Sequence, residues 1–259
     1  FSVYSAPDVT LEEDLKRRDL TINAMAQTED GQLVDPFNGH TDLQHKTLRH
    51  VSEAFAEDPL RILRTARFAA RLHPLGFSIC SETMALMRQM IADGELEHLV
   101  PERVWQEIQR ALNENAPTVF FEVLRELGAL AVLIPELEDA TVFRAGVKAL
   151  SCIHHQQGNT AQRFAALLGA VPEELAITRA KAMKSPNDCR DMSRLTCRFM
   201  AELSRHPADS LSAEEILELL DTADLWRRSE RFDALLDTLA CTLPQAQQSI
   251  LEHLRTAAG

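Results

Sequence analysis

Residues 57–71 read Glu-Asp-Pro-Leu-Arg-Ile-Leu-Arg-Thr-Ala-Arg-Phe-Ala-Ala-Arg, and this stretch places two kinds of side chain on opposite sides of one predicted helix. At about 100° per residue, the apolar side chains fall within one arc. They are Ile62, Leu63, Ala66, Ala69 and Ala70. The arginines lie opposite, at positions 61, 64, 67 and 71. The pattern predicts a helix that packs its apolar stripe against a core and presents guanidinium groups on its other side.

The start of this helix is marked by two residues. Asp58 is a good N-cap, and Pro59 at the first helical position loses only an N–H that would be unpaired anyway. A carboxylate and several guanidiniums are therefore held at one helix end, where they suit phosphate oxygens or the edge of a base. The alternative is a solvated face on which Glu57 and Arg61 form a weak i,i+4 ion pair.

Three other segments accompany the arginine-rich helix. Residues 14–26 read DLKRRDLTINAMA, residues 33–43 read LVDPFNGHTDL, and residues 101–107 read PERVWQE. In this order and at these separations, the four segments resemble consecutive motifs of the class II tRNA nucleotidyltransferases, the family of the CCA-adding enzymes and bacterial poly(A) polymerases. The resemblance is strong from residue 1 to about residue 135 and fades beyond it.

The resemblance implies a site that selects CTP and ATP without a nucleic-acid template. By resemblance, Asp58 and Arg61 read the base and Glu57 orients Arg61, while Arg64 and Arg67 complete the nucleotide pocket. The chemistry is compatible, because cytosine and adenine each present an amino donor for a carboxylate and a ring acceptor for a guanidinium. Guanine and uracil do not share that pattern.

The flanking motifs receive supporting roles by the same resemblance. The triphosphate role falls to Arg18, supported by its neighbours Arg17 and Asp19. Three residues downstream are expected to brace the reading helix: Glu102, Arg103 and Glu107. Arg103 and Glu107 are also spaced for a purely structural i,i+4 pair.

Two motifs that this family uses for phosphoryl transfer do not occur in the sequence, namely a Gly-Gly-x-x-Arg-Asp loop and an Asp-x-Asp pair that holds two magnesium ions. We therefore expect the Mg²⁺ cofactor to be bound by residues outside this chain and the chain to contain no metal site. We also expect no nucleotide addition by the 259-residue chain alone. No histidine precedes an aspartate, so the metal-dependent phosphohydrolase activity of some relatives is expected to be absent.

Composition is that of an ordinary soluble protein, with 25% charged and 45% hydrophobic residues. No apolar run reaches the length of a membrane span. Five scattered cysteines without a Cys-x-x-Cys pair fit a reducing compartment and argue against a zinc site. These features predict a cytoplasmic protein without a membrane partner.

The net charge of −12 opposes phosphate binding in general, so contacts with RNA need a local basic patch. The candidate patch contains Arg179, Lys181, Lys184, Arg190, Arg194 and Arg198. Its last three arginines are spaced to line one helix face. A solvated helix face without a ligand is the alternative.

The fold class predicted is mainly α (α+β), with a small β-hairpin remnant of a nucleotidyltransferase head followed by a helical neck, body and tail. Thr10 and Glu13 predict a capping box for a helix over 11–18. Strands over 21–28 and 32–35 flank an Asp-Gly turn, and Thr41 or Asp42 is expected to cap the next helix. Further helices are predicted over 57–93 with a break at Gly76, and over 101–113, 118–133, 142–154, 160–183, 188–204, 212–222, 229–241 and 244–257.

Three domains are expected: the C-terminal part of the head over 1–50, a neck with the nucleotide-reading helices over 51–136, and a helical body and tail over 137–259 that bind tRNA. The function implied is addition of C and A to the tRNA 3′ end from CTP and ATP, with release of pyrophosphate. A poly(A) polymerase and a non-catalytic RNA-binding module stay open as alternatives, the first less favoured because the tail is acidic. The sequence leaves open full or partial CCA addition and the oligomeric state.

Overall fold

A computed structural model describes residues 9–206 and 211–258, and within them α-helices predominate. The strands in this part of the chain are four, each of two residues, and they form two separate two-stranded sheets. The mainly helical class predicted from the sequence is thereby confirmed. Within the described residues, no helix is long and apolar enough to cross a membrane.

The chain divides into two compact units. The first comprises residues 1–107 and 114–129, and the second comprises residues 108–113 and 130–259. The elements of the first unit are α1 Leu11–Lys16, β1 Ala26–Gln27, β2 Leu33–Val34, α2 Gly39–Gln44, β3 Thr47–Leu48, α3 Leu60–Leu72, β4 Ser78–Ile79, α4 Ser81–Ala92, α5 Pro101–Leu112 and α6 Pro117–Leu127. Helix α5 begins in the first unit and ends in the second.

The predicted hairpin is present but shorter than expected. Strands β1 and β2 are antiparallel, with Ala26 opposite Val34, and Gly31 in the connecting turn has a φ of 86°. The first predicted strand is wrong over 21–23, which form a 3₁₀ turn. This turn is held by a tertiary contact, because the hydroxyl of Thr21 donates to the buried carboxylate of Asp42 at 2.7 Å.

Helix α2 begins earlier than predicted, so the expected capping by Thr41 or Asp42 is wrong. The carboxylate of Asp35 accepts from the N–H of Gly39 at 2.7 Å and that of His40 at 2.9 Å. The side chain of Asp42 is turned inward instead, where it also accepts from Arg49. A Cβ at Gly39 would lie 2.1 Å from the carbonyl oxygen of Thr21, so this close approach requires glycine.

Helix α3 buries the predicted apolar stripe almost completely. The helix begins at Leu60, one residue later than expected, and the Asp58 carboxylate accepts from the N–H of Leu60 at 3.1 Å. Asp58 therefore still caps an unpaired N–H of the first turn. Helix α6 packs along α3. The short strands β3 and β4 pair in parallel, a contact that their two-residue lengths do not reveal in the sequence.

The second unit contains helices and connecting segments, with no strand among its described residues. Its elements are α7 Ala129–Leu133, α8 Ala140–His155, α9 Thr160–Leu168, α10 Glu173–Ala182, α11 Asn187–Leu203, α12 Ala213–Thr222, α13 Ser229–Thr242 and α14 Gln248–Ala258. Helix α9 packs against α8, α11 and α13, and it buries Phe164 and Leu167 completely.

Two predicted helices are divided in the structure. The segment 118–133 is interrupted at Gly128, whose φ of 81° ends α6. The segment 160–183 is interrupted between α9 and α10, where Gly169 caps the first helix and Pro172 precedes the second. A proline cannot continue the hydrogen-bonded ladder of the preceding helix, which accounts for the break.

Cys152 and Cys241 form a disulfide that joins α8 to α13, with a Cα–Cα distance of 5.6 Å. The two residues are 89 positions apart in the sequence, and the packing of the helices brings them together. Their wide spacing is the reason why the sequence suggested reduced cysteines. Cys189 and Cys197 are free and buried, and burial raises the pKa of each thiol to about 12. These two thiols are therefore unreactive at neutral pH.

Candidate functional site

Arg67 lies on the arginine side of α3, yet it is buried, with only 5% of its surface exposed. Its Nε donates to Glu107 of α5 at 2.6 Å, and its Nη1 donates to Glu114 at 3.3 Å. This placement differs from the open arginine face expected from the periodicity. The periodicity of α3 could not predict that carboxylates from another segment of the chain cover its arginine side.

Glu114 connects a second arginine of α3 to the same cluster. Arg71 donates from both Nε and Nη2 to this carboxylate, each at 2.9 Å. We call Arg67, Arg71, Glu107 and Glu114 the buried ion cluster. Arg67, Glu107 and Glu114 are buried, whereas about half of the Arg71 side chain is exposed. The two positive and two negative charges balance, which the buried members require because removal from water is costly. The cluster therefore fixes the rotation of α3 about its own axis.

Arg64 contacts the motif at residues 14–26. Its Nε and Nη2 donate to one carboxylate oxygen of Asp19, at 2.9 and 2.7 Å. The other oxygen accepts from the N–H of Leu20 at 2.8 Å and from the amide of Asn23 at 3.2 Å. Burial by itself would raise the pKa of Asp19, but the charge of Arg64 and these hydrogen bonds outweigh it and hold the pKa below its ordinary value.

This lowered pKa makes Asp19 a source of acid sensitivity. Its contribution to stability is complete above the unfolded pKa of about 3.9 and is lost as the pH falls through the lower folded pKa. We expect Asp19→Asn to reduce the free energy of unfolding at pH 7 and to flatten its decline below about pH 4. Urea unfolding from pH 7 to pH 2 measures both effects, and an unchanged slope in the variant would contradict the assignment.

Arg61 is held by main-chain acceptors. Its Nη1 donates to the carbonyl of Ala54, and its Nη2 donates to the carbonyl of Arg17 at 2.6 Å. Glu57 is exposed, and its side chain makes no hydrogen bond or ion pair within the part of the chain that the structure describes. The expected contact of Glu57 with Arg61, whether functional or a surface pair, is thus not formed in this structure.

Asp58 contacts the motif at residues 101–107. Nη2 of Arg103 donates to its second carboxylate oxygen at 2.8 Å, and both side chains are partly exposed. Arg103 contacts Asp58 just before α3, and Glu107 contacts Arg67 within it. Glu102 is exposed and has no side-chain partner among residues 9–206 and 211–258.

The end of α1 supplies further arginines. Arg17 donates to Asp14 from Nε at 3.0 Å, and Arg18 donates to the same carboxylate from Nη2 at 3.2 Å. Arg18 also donates weakly to the carbonyl of Asn23 at 3.4 Å and remains half-exposed. The sequence motif contains Asn23 but did not predict its contacts with Arg18 and Asp19. The signal that could have indicated them is the polar amide within the Thr-Ile-Asn-Ala segment.

The basic patch predicted in the second unit is only partly open. Arg179 donates from Nε to both carboxylate oxygens of Glu136 at 3.0 and 2.8 Å, and Arg194 donates to Asp191 at 3.1 Å. Arg190 and Arg198 are half-buried, and the buried Nε of Arg190 has no hydrogen-bond partner among the described residues. Lys181 and Lys184 are the exposed members.

The described residues include no group of three or more His, Cys, Asp or Glu side chains arranged to hold a metal ion. The described residues therefore do not fit a resident metal. The site is a set of arginines and carboxylates at the start of α3, suited to binding polar or anionic ligands.

Two family models match the chain. Residues 2–49 match the "Poly A polymerase head domain", and residues 76–141 match the "Probable RNA and SrmB- binding site of polymerase A". The first match contains Arg17 and Arg18, which follow α1, and the buried Asp42 of α2. The second match contains Arg103 and the two glutamates of the buried ion cluster.

Known relatives narrow the class. The chain is 69% identical over 259 residues to the CCA-adding enzyme of Marinobacter nauticus, covering all of this chain and 69% of that protein. It is 45% identical to the Multifunctional CCA protein of Alkalilimnicola ehrlichii, covering 93% of this chain and 65% of that protein. A solved CCA-adding enzyme in its apo form I shares the fold, with a TM-score of 0.75 and 22% identity over 97% of this chain and 61% of that one. The chain belongs to the family of CCA-adding enzymes.

Proposed function

We propose that the protein containing this chain adds C and A to the 3′ end of tRNA, transferring nucleotidyl groups from CTP and ATP with release of pyrophosphate. The observation that carries the proposal is the 69% identity to a CCA-adding enzyme along the whole chain. The arginine and carboxylate set at the start of α3 supports a nucleotide site at that place. Guanidinium and carboxylate groups complement the edges of cytosine and adenine.

Within that site, we propose that Asp58 and Arg61 select the base, with Glu57 beside them. Asp58 is available because a carboxylate has several acceptor positions, and it uses only two of them on Leu60 and Arg103. Arg61 joins the start of α3 to the carbonyls of Ala54 and Arg17, so its displacement would disturb the whole site.

The phosphate side of the site is assigned to Arg18, with Arg17, Asp19 and Arg64 in support. Arg18 is half-exposed and holds only a weak bond to Asn23 besides its pair with Asp14, which leaves guanidinium N–H groups for a triphosphate. Arg67 acts from the interior rather than as a direct contact, because the carboxylates of Glu107 and Glu114 occupy it. Glu102 and Arg103 complete the bracing motif.

We propose that the RNA substrate contacts the basic patch, in which Lys181 and Lys184 are the most exposed members. The patch consists of Arg179, Lys181, Lys184, Arg190, Arg194 and Arg198. We also propose the division into head (1–50), neck (51–136) and tRNA-binding body and tail (137–259). Mg²⁺ is proposed as the metal of the reaction, with ligands outside the described residues, and the cytoplasm is proposed as the location.

The experiment supplies the full-length protein with Mg²⁺, labelled CTP or ATP and three acceptors: tRNA lacking CCA, tRNA ending in CC, and an unstructured RNA. Addition that stops after CCA on tRNA is the expected result. Long A-tracts on unstructured RNA would instead indicate a poly(A) polymerase. Absence of any addition would favour a non-catalytic RNA-binding module and overturn the proposal.

A further inference from the structure

Arg103 approaches the start of α3 from a different helix, α5, and contacts the carboxylate proposed to select the base. Its Nη2 donates to Oδ2 of Asp58 at 2.8 Å, whereas Oδ1 of Asp58 accepts from the N–H of Leu60 at 3.1 Å. The carboxylate is therefore held at both oxygens, and each oxygen keeps a lone pair for another donor. Asp58 can thus accept from the amino group of a base without losing its contact with Arg103.

The guanidinium of Arg103 has donors that the protein does not use. A guanidinium carries five N–H donors in one planar fork. Nε and Nη1 of Arg103 make no hydrogen bond or ion pair with any residue in the ranges 9–206 and 211–258, and the side chain is 48% exposed. Two nitrogen atoms next to the Asp58 carboxylate are therefore open to a ligand.

The charges around this pair disfavour an anion as that ligand. Arg103 and Asp58 balance each other, and the residues beside them in the sequence, Glu102 and Glu57, are exposed carboxylates. The four side chains together are negative, which opposes a phosphate group at this place. The open donors of Arg103 are therefore better matched by an uncharged hydrogen-bond acceptor.

Cytosine and adenine differ in what lies beside the amino group. Adenine carries the acceptor N7 there, whereas cytosine presents only a C–H. Among the described residues, Asp58 accepts from Arg103 rather than from Arg61, which donates to main-chain carbonyls. When Asp58 binds the amino group and Arg61 binds the neighbouring ring nitrogen, the edge on the other side of the amino group is left for Arg103.

We propose that Arg103 is a specificity-determining residue that donates a hydrogen bond to N7 of the incoming adenine and finds no acceptor on cytosine. This assignment deepens the proposed function and rests on it, because Asp58 and Arg61 must hold the base for Arg103 to reach N7. It gives Arg103 a direct contact with ATP in addition to the bracing that its motif implies. A brace alone would serve CTP and ATP equally, whereas a contact with N7 serves ATP alone.

The analogue 7-deaza-ATP carries a C–H in place of N7 and therefore tests this contact directly. The full-length protein is supplied with Mg²⁺ and tRNA ending in CC, together with ATP or 7-deaza-ATP. CTP incorporation into tRNA lacking CCA is measured in parallel, and each substrate is compared by kcat/KM. The unmodified protein should use 7-deaza-ATP about tenfold less efficiently than ATP, because a hydrogen bond from a charged donor is lost.

Arg103→Met removes the donors and keeps an unbranched side chain. The variant should lose about tenfold more activity with ATP than with CTP, and it should use ATP and 7-deaza-ATP within about twofold of each other. Comparing both proteins with both nucleotides forms a double-mutant cycle, so the effect of the analogue itself cancels. Arg88→Met is the matched control, because Arg88 is an exposed arginine of the same unit that pairs with Glu126. It should discriminate against 7-deaza-ATP as the unmodified protein does.

Equal use of ATP and 7-deaza-ATP by the unmodified protein would overturn the inference. An Arg103→Met variant that loses CTP and ATP activity by the same factor, and still discriminates against 7-deaza-ATP, would leave Arg103 as a brace only.

Failure of the proposed function is separate, because it shows as absent incorporation of CTP and ATP by the unmodified protein. Equilibrium binding of ATP and 7-deaza-ATP needs no incorporation and therefore reports on the contact alone. The dissociation constant for 7-deaza-ATP should be about tenfold higher than that for ATP. Equal dissociation constants would contradict a contact between Arg103 and N7.

Discussion

Replacing Arg67 with alanine is expected to lower the free energy of unfolding of the first unit by about 3–5 kcal/mol. The variant leaves the carboxylate of Glu107 without the guanidinium that contacts it at 2.6 Å, and it removes one of the two cations near Glu114. Both glutamates are buried, so water cannot replace the lost charge. Removing one partner of a buried ion pair costs far more than the net value of the pair.

Urea or guanidinium unfolding of the full-length protein measures this loss. Arg88→Ala is the matched control, because Arg88 forms an exposed pair with Glu126 at 3.0 Å and should lose less than about 1 kcal/mol. Arg67→Lys should recover only part of the stability, since an ammonium lacks the planar fork of donors. A loss below about 1 kcal/mol in Arg67→Ala would show that the cluster does not hold α3.

Replacing Arg61 with alanine is expected to reduce CTP and ATP incorporation by the full-length protein and to narrow its preference for C and A over G and U by about 5- to 100-fold. The guanidinium contributes in two ways under the proposed function, as a partner for the base and as a link from α3 to residues 17 and 54. Its loss should therefore affect both substrates together.

Incorporation of each of the four nucleotides into tRNA lacking CCA, measured as kcat/KM, gives this result. Arg88→Ala again serves as the control, because it removes an exposed arginine of the same unit without touching the site. Thermal unfolding of Arg61→Ala separates loss of selectivity from loss of fold. Equal relative incorporation of C, A, G and U by the variant and the unmodified protein would refute the assignment of Arg61.

Local features of the fold were predictable because neighbouring residues decide them. The capping box of Thr10 and Glu13 forms as expected, since both partners lie within one turn. The hairpin follows from the turn around Gly31, and the apolar stripe of α3 follows from its period. The shortened first strand and the early start of α2 were not predictable, because Thr21 and Asp42 meet across 21 residues.

The candidate site divides in the same way. Residue types and order identified the arginines, the acidic cap and the bracing motif, which was enough to indicate the family. The hydrogen-bond partners of these side chains were not predictable. Glu57 is spaced to pair with Arg61, but Arg61 donates to main-chain carbonyls instead. Arg67 donates to carboxylates that lie 40 and 47 positions away in the sequence. Hydrogen bonds over such separations depend on how helices pack rather than on spacing within one helix.

The sequence by itself therefore determined the helical class, the family and which residues carry charge at the start of α3. Only the tertiary structure decided which of those charges are buried, which are paired and which remain open. It buried Arg67, closed the Cys152–Cys241 disulfide and left Trp226 exposed. The physical reason is that periodicity assigns a side chain to a face of its helix, whereas burial and pairing depend on what packs against that face.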